Sequence, residues 1–278
     1  DATPERNTQR GCCSPSHRVV GQEGGPTVAD RDGMMTIGAG GVEMRAEMSL
    51  PRDDAGVVVI PEITANGGDP AVEGVAARLR VAGLGVLRLS LLTEQEESEG
   101  NIDGLAPEPE LLGNRLGLVL DWLDQDDRTS TRPIGIYGTD QAAAAALVAA
   151  AGRPQRIGAV VSADGRADLA GDSLEGVAAP TLLIVGTDDA SITDATNEAA
   201  QRLGAVRQVE RLSASGGGAA TDAPHAQQQI GDLAADWFTT HLVTLESPMD
   251  VPDAEHPSTM RPDRFPPREG RSGRGMST

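Results

Sequence analysis

Strand and helix patterns alternate along the central part of the chain, and this alternation constrains the fold more than any other feature. Short β-branched runs such as 56–60 predict strands that are buried on both faces. The predicted strands cover 56–60, 85–89, 133–137, 157–161, 181–185 and 206–212, and the predicted helices cover 72–81, 111–123, 141–151, 195–203 and 227–242. Such alternation predicts an α/β domain with a mostly parallel central sheet flanked by helices.

The two ends of the chain lack this periodicity. Residues 1–40 are rich in Gly, Ser, Thr, Pro and Arg, and residues 247–278 carry Pro, Arg and Gly throughout. Segments of this composition cannot bury enough apolar surface to pack. We therefore predict disorder over 1–40 and 247–278, on either side of a single domain at 41–246. The two cysteines, Cys12 and Cys13, cannot form a disulfide scaffold, which favours a cytoplasmic location.

The net charge bears on the partners of the chain. All 23 basic residues are Arg, against 42 acidic residues, so the formal charge is −19, and residues 41–249 carry −18 of it. Because such a surface repels phosphate backbones and anionic lipids, we expect neither nucleic acid nor a membrane as a partner. No apolar window is long enough for a transmembrane helix. The charge fits either an acidic, halophilic surface or the Arg-for-Lys bias of a GC-rich genome.

The most informative turn joins the third predicted strand to its helix. It reads Gly138-Thr139-Asp140-Gln141-Ala142, so a strand ends where a helix of small residues begins. Ligands of open α/β sheets bind beyond the carboxyl ends of the strands. A sharp strand-to-helix turn at that edge is the architecture of a nucleophile elbow, with Asp140 in the position of the nucleophile. The alternative is that Asp140 only caps its helix, since Asp is favoured at that position.

Three further stretches resemble dienelactone hydrolases, a branch of the α/β-hydrolase fold. Residues 57–63 with 75–87 are similar to the family's pattern VVVIxEI followed by VAxRLAxxGYxVL. Residues 180–189 resemble the strand and turn that carry the triad acid, and residues 234–242 resemble the closing helix. The resemblance implies an α/β-hydrolase fold and a small-molecule substrate.

The chain departs from the family's pattern at two of the positions that carry the chemistry. The family's elbow reads G-x-S-x-G or G-x-C-x-G, whereas this chain has Asp140 at the central position. The triad acid corresponds to Asp189, with Asp188 as the alternative register. The family's histidine is expected near residue 219, where this chain has Ala, and His225 is the nearest candidate.

Two more residues are implied in substrate binding. Glu62 corresponds to a glutamate that lies beside the nucleophile in dienelactone hydrolases. With Asp140 opposite it, Glu62 would form a carboxylate pair that shares a proton, binds a cation or remains solvated. Arg166 lies in the loop after the fourth strand, where it either holds a substrate carboxylate through its guanidinium fork or pairs with a local Asp. We expect neither a metal ion nor a cofactor.

Two functions follow from these residues. The first is a catalytically impaired relative of dienelactone hydrolase, a pseudoenzyme retained to bind a small molecule or a protein partner. The second is an active hydrolase of ester, lactone or halide substrates, with Asp140 as nucleophile, Asp189 as acid and His225 as base. In the second, an ester formed on Asp140 must be hydrolysed by water that a histidine activates. The position of His225 separates the two functions, and the sequence indicates no oligomeric state.

Overall fold

The computed structural model describes residues 32–53, 55–64, 68–103, 108–186, 189–212 and 224–242. The strands in these ranges are β1 Asp32–Ala39, β2 Val42–Ser49, β3 Val57–Glu62, β4 Gly85–Ser90, β5 Ile134–Thr139, β6 Ile157–Ala163, β7 Thr181–Val185 and β8 Arg207–Arg211. The helices are α1 Pro70–Val81, α2 Glu94–Asp103, α3 Pro109–Gln125, α4 Asp140–Gly152, α5 Ser173–Gly176, α6 Ala190–Arg202 and α7 Pro224–His241, and a 3₁₀ turn covers Ala167–Ala170. Every strand and helix that the sequence predicted is present. β7 has the predicted bounds, and the others differ at one or both ends.

The strands of the described ranges form a single sheet in the order β1-β2-β4-β3-β5-β6-β7-β8. β2 pairs antiparallel with β1 and β4, and all pairs from β4 to β8 are parallel. Every residue of β3, β4 and β7 is buried, as expected for strands that are covered on both faces. The predicted mostly parallel α/β architecture is confirmed.

Helices cover both faces of this sheet. α1 and α7 pack together on one face, over a core that includes Val58, Tyr137 and Phe238. α3, α4 and α6 cover the other face with Leu and Ala side chains. The approach of α7 to β5 requires a glycine, because a Cβ at Gly135 would lie 2.6 Å from the Cε1 atom of Phe238. Across the described chain, the helices are too short or too polar to cross a bilayer.

Several elements lie where the sequence predicted none, namely β1, β2, α2, α5 and the 3₁₀ turn. β1 lies inside the 1–40 segment that we predicted to be disordered, so the prediction is wrong for Asp32–Ala39. Its glycines weaken the strand pattern, but eight residue pairs with β2 stabilise it. The acidic stretch after β4, to which the sequence assigned no element, forms α2. Residues 1–31 and 243–278, with Cys12 and Cys13, lie outside the described residues, so disorder there stays a prediction.

Candidate functional site

The turn between β5 and α4 has the geometry of a nucleophile elbow. Asp140 is the first residue of α4, and its backbone φ is +46°, in the left-handed region that residues other than glycine adopt at a cost. Its side chain is exposed, and no hydrogen bond or ion pair joins it to another described residue. The strained residue of the turn is therefore Asp140, and its carboxylate is available to a ligand.

Small residues around Asp140 allow this turn to form. A Cβ at Gly138 would lie 2.7 Å from the carbonyl oxygen of Ala142 and 2.8 Å from the backbone nitrogen of Ala143. A Cβ at Gly165 would lie 2.2 Å from the Cβ of Ala143. The close contacts explain why alanines follow Gln141 in α4 and why glycines occupy the strand end and the facing loop.

The structure contradicts the alternative in which Asp140 only caps α4. The N-cap residue is Thr139, whose side chain makes no capping hydrogen bond, and Asp140 is already part of the helix. A typical N-cap has extended backbone angles, whereas Asp140 has positive φ. Its backbone carbonyl accepts a hydrogen bond of 3.1 Å from the Arg166 amide, which connects the elbow to the loop after β6.

Two adjoining cavities open above the elbow, and they share Asp69, Thr139 and Asp140. The larger has a volume of about 440 Å³ and also contacts Glu62 and Arg166. The smaller has a volume of about 270 Å³, and its remaining polar lining residues are Tyr137, Asp164 and Gln227. We call the two cavities together the elbow cleft. Its position beyond the carboxyl ends of β3, β5 and β6 is where open α/β sheets bind ligands.

Glu62 lies at the carboxyl end of β3 and is held by Arg88 of β4. The Nε and Nη2 atoms of Arg88 donate hydrogen bonds of 3.0 and 2.8 Å to Oε1 of Glu62. The Arg88 guanidinium also donates to Glu73 of α1. The side chains of Glu62 and Arg88 are 6% and 10% exposed, so the pair is buried. Oε2 of Glu62 is buried too, and no described residue donates a hydrogen bond to it.

Arg166 is engaged by its neighbour Asp168. Nε and Nη2 of Arg166 donate hydrogen bonds of 2.9 and 2.7 Å to the two carboxylate oxygens of Asp168. These hydrogen bonds lower the pKa of Asp168 below its ordinary value. Pairing with a local Asp is thus what the structure shows for Arg166, and the substrate contact stays a prediction.

Asp189 is exposed at the end of the loop that follows β7 and caps α6. Its Oδ1 accepts a hydrogen bond of 2.8 Å from the Ser191 amide. Hydrogen bonds from the Ser191 side chain and backbone lower the pKa of Asp189. Asp189 is not among the described residues that line the elbow cleft. Its role as triad acid stays a prediction, and Asp188 lies outside the described residues.

His225 lies in the first turn of α7 and is exposed. Two residues later, Gln227 lines the elbow cleft, so α7 begins at the edge of the sheet that carries Asp140. Among the described residues, no hydrogen bond or ion pair joins His225 to Asp140. The position near residue 219 lies outside the described residues, and the catalytic role of His225 stays a prediction.

A second described histidine, His241, lies at the opposite end of α7. Its Nδ1 lies 2.8 Å from the carbonyl oxygen of Trp237, and the two ring centroids are 4.1 Å apart. The carbonyl of His241 approaches Gly158, near the amino end of β6. His241 therefore lies on the side of the sheet away from the elbow.

Asp69, Tyr137 and Asp164 line the cleft and were not singled out from the sequence. Asp69 caps α1 by accepting a hydrogen bond from the Ala71 amide, and Asp164, with φ +46°, accepts one of 2.6 Å from the Gly186 amide. Burial, followed by the charges of Asp164 and Asp69, raises the pKa of Tyr137, which keeps its hydroxyl neutral. Each of the three lies at or next to the carboxyl end of a strand or the start of a helix. That position is the feature of the sequence from which they could have been predicted.

The described residues contain no cluster of metal-ligating side chains. Among them, no three His, Cys, Asp or Glu side chains converge closely enough to hold a metal ion. The arrangement offers carboxylates for hydrogen bonding and for charge pairing, and one carboxylate in the position of a nucleophile.

Comparisons with known structures and sequences identify the family. No protein-family model matches the chain. The solved dienelactone hydrolase from Anabaena variabilis is 31% identical with a TM-score of 0.71, over 77% of this chain and 100% of that one. Est1E from Butyrivibrio proteoclasticus is 13% identical with a TM-score of 0.59, over 74% of this chain and 99% of Est1E, which supports the fold alone.

The curated relatives that match this chain are longer proteins. A Mycobacterium tuberculosis protein named "Putative phosphoribosyl transferase" is 36% identical over 218 residues, which are 76% of this chain and 47% of that protein. The chain thus spans about half the length of the curated relatives that it matches. The strand order, the strained turn at Asp140 and the identity over the full Anabaena enzyme agree, and the chain belongs to the dienelactone hydrolase family of the α/β-hydrolase fold.

Proposed function

We propose that this dienelactone hydrolase-like protein binds a small molecule in the elbow cleft and does not turn over esters by serine or cysteine acyl transfer. The observation that carries the proposal is the identity of the elbow residue. The positive φ falls on Asp140, so the residue presented to the ligand is a carboxylate, with no hydroxyl or thiol. Acyl transfer of that type needs a nucleophile whose proton a base can take.

The surroundings of Asp140 support a binding role. No described histidine forms a hydrogen bond or an ion pair with Asp140. His225 is exposed, and the His241 ring lies against Trp237. The cleft itself is large enough for a small molecule, with a volume of about 440 Å³ in its larger cavity and several polar groups in its walls. A role in assembly with a protein partner is the other non-catalytic function that fits the family, and the presence of the cleft favours the small molecule.

The second candidate is a hydrolase in which Asp140 is the nucleophile. The strained backbone favours it, since strain of this kind persists at functional sites. The Asp140 carboxylate would attack a saturated carbon, forming a carbon–oxygen bond while a halide, or the carboxylate of an ester or lactone, leaves. Water activated by His225, with Asp189 as its acid partner, would then cleave the alkyl ester and restore the carboxylate. The second step requires His225 to approach Asp140.

The transferase activity in the name of the curated relatives is not proposed for this chain. The chain covers 47% of those proteins, and the part that it covers folds as a hydrolase. A cytoplasmic location remains a prediction from the cysteine content.

Turnover assays separate the two candidates. Aryl esters, lactones and haloalkanes are offered at low and high salt to the natural chain, to Asp140→Asn and to Asp127→Asn. Asp127 is exposed after α3, so the control makes the same change of charge away from the cleft. We expect no turnover by any of the three proteins. Sustained turnover that Asp140→Asn abolishes and Asp127→Asn retains would overturn the proposal and establish the second candidate.

Intact-mass measurement adds a direct test of Asp140 chemistry. If Asp140 attacks a haloalkane but no base completes the reaction, the protein gains the mass of one alkyl group and stays modified. We expect no such gain. A gain that is absent in Asp140→Asn would show that the nucleophile is competent and would contradict a purely binding role.

A further inference from the structure

The elbow cleft is unusually acidic. Four carboxylates line it: Glu62, Asp69, Asp140 and Asp164. Carboxylates that face one enclosed space repel one another and gain from any cation that enters it. The charge of the cleft therefore bears on the chemical class of its ligand.

The arginines near these carboxylates do not supply an anion site. Arg166 places its guanidinium fork on Asp168, with hydrogen bonds of 2.9 and 2.7 Å. Arg88 divides its donors between Glu62 and Glu73. To bind a ligand carboxylate through its fork, Arg166 would first have to release Asp168. The cleft in this conformation is built to receive positive charge.

Glu62 provides the independent observation that points to a ligand. Its side chain is 6% exposed and lines the larger cavity, and Arg88 holds its Oε1. The second oxygen, Oε2, is buried and receives no hydrogen bond from any residue that the structure describes. A buried carboxylate oxygen without a donor is costly, and a ligand N–H group would satisfy it once the Glu62 carboxylate rotates toward the larger cavity.

We propose that the ligand of the elbow cleft is a small organic cation with N–H donors, such as a primary amine or an amidine, bound between Glu62 and Asp140. The inference rests on the proposed function, because it assigns a ligand class to the same binding cleft. A metal ion is a poorer fit, since no three ligating side chains of the described residues converge. The negative charge of the whole chain also attracts cations toward the cleft.

A matched series of four-carbon molecules tests the charge of the ligand. The probes are 1,4-diaminobutane, 1,4-butanediol and succinate, which have the same chain length and differ in the charge of their ends. Isothermal titration calorimetry is run on the full chain at physiological and at high salt. We expect saturable binding of the diamine only, weaker at high salt because the charges are screened.

Two variants locate the binding. Glu62→Gln and Asp140→Asn each remove one negative charge from the cleft with little change of shape, and each should weaken diamine binding about tenfold or more, the usual cost of losing a charged hydrogen-bond partner. The matched controls are Glu110→Gln and Asp127→Asn, both exposed and outside the cleft, which should bind within about twofold of the natural chain. Circular dichroism checks folding, and if Glu62→Gln does not fold, the exposed Asp140 still provides the test.

The outcomes separate this inference from the proposed function. Equal weakening by cleft and control variants would mean that the diamine only follows the net charge, which overturns the cation site. Preferential binding of succinate or butanediol, lost in Asp140→Asn, would overturn the ligand class and leave the binding role in place. Displacement of the diamine by stoichiometric Mg²⁺ would overturn the organic cation in favour of a metal. Turnover of esters or haloalkanes would instead remove the proposed function, whatever the diamine does.

Discussion

At the scale of single residues, Asp140 has a conformation that the fold imposes on it. Its φ of +46° lies in a region that costs a residue other than glycine roughly 1–2 kcal/mol, although Asp tolerates it better than most. β5 runs directly into α4 at this residue, and a Cβ at Gly138 would lie 2.7 Å from the Ala142 carbonyl oxygen, so the turn is tight. The strain thus belongs to the elbow and does not depend on which side chain occupies it.

Substitutions at Asp140 measure this strain. Asp140→Gly should keep the free energy of unfolding or raise it slightly, because glycine adopts positive φ freely. Asp140→Val should be less stable than Asp140→Gly by about 2 kcal/mol, because β-branched residues avoid that region. Urea unfolding followed by tryptophan fluorescence provides the measurement. Gln141→Val, one residue later, should lose only about 0.5 kcal/mol, and equal stability of the Gly and Val variants would contradict the strained elbow.

Glu96 gives a prediction for the acid side of the stability profile. Arg115 donates to both carboxylate oxygens of Glu96, and its hydrogen bonds lower the pKa of Glu96 from 4.5 to about 2. Because the pKa is lowered in the folded state, the stabilisation is complete above pH 4.5 and is lost as the pH falls toward 2. Glu96→Gln should therefore be less stable than the natural chain at pH 7. The difference in urea midpoints should shrink by pH 3, and a constant difference would contradict the pair.

At the scale of elements, the parallel strands could be predicted and the N-terminal hairpin could not. Runs such as 57–60 are apolar because both faces of their strands are covered, so the pattern is visible in the sequence alone. β1 has no such run, and its order comes from pairing with β2 and not from its own residues. α2 is strongly acidic, so it lacks the apolar stripe by which a helix is recognised.

The same distinction applies to the site. A feature made by neighbouring residues could be predicted, whereas a contact between residues far apart in the sequence could not. Asp140 was identified because strand, turn and helix adjoin in the sequence. The ion pair of Glu62 with Arg88 joins β3 to β4, 26 residues apart, and Arg88 lies within an otherwise apolar strand. Pairings of that kind depend on strand register and side-chain direction, which periodicity does not specify.

The junction of β5 and α4 should be intolerant of a single methyl group. Gly138→Ala places a Cβ within 2.8 Å of backbone atoms of Ala142 and Ala143, which cannot move without shifting the helix. We expect a loss of about 1–3 kcal/mol in the free energy of unfolding, as for other overpacked positions. Gly74→Ala is the matched control, since Gly74 is exposed in α1 with nothing near its Cβ position, and it should gain about 0.5–1 kcal/mol. Similar effects in the two variants would contradict the packing described for the elbow.

At the scale of the whole molecule, the charge is distributed so that local attraction opposes long-range repulsion. Arginines pair with carboxylates across elements, as in Arg153 with Asp121 and Arg202 with Asp172. Partly exposed pairs of this kind contribute about 0–1 kcal/mol each. Residues 41–249 nevertheless carry a net charge of −18, because carboxylates outnumber arginines there. The mutual repulsion of the excess carboxylates destabilises the compact state.

Salt screens both the attraction within ion pairs and the repulsion across the domain. Whichever is weakened more decides whether salt raises or lowers the melting temperature. At about 0.1 M salt, charges further apart than about 10 Å are largely screened, whereas the contacts inside ion pairs are shorter than that. Repulsion across the domain should therefore fall first, and the melting temperature should rise by several degrees between low salt and about 1 M NaCl. Differential scanning calorimetry in NaCl measures it, with sucrose as the uncharged control and sulfate avoided because it stabilises proteins by exclusion. Full folding at low salt with no rise in melting temperature would exclude an adaptation to high salt and leave genomic Arg-for-Lys bias as the source of the composition.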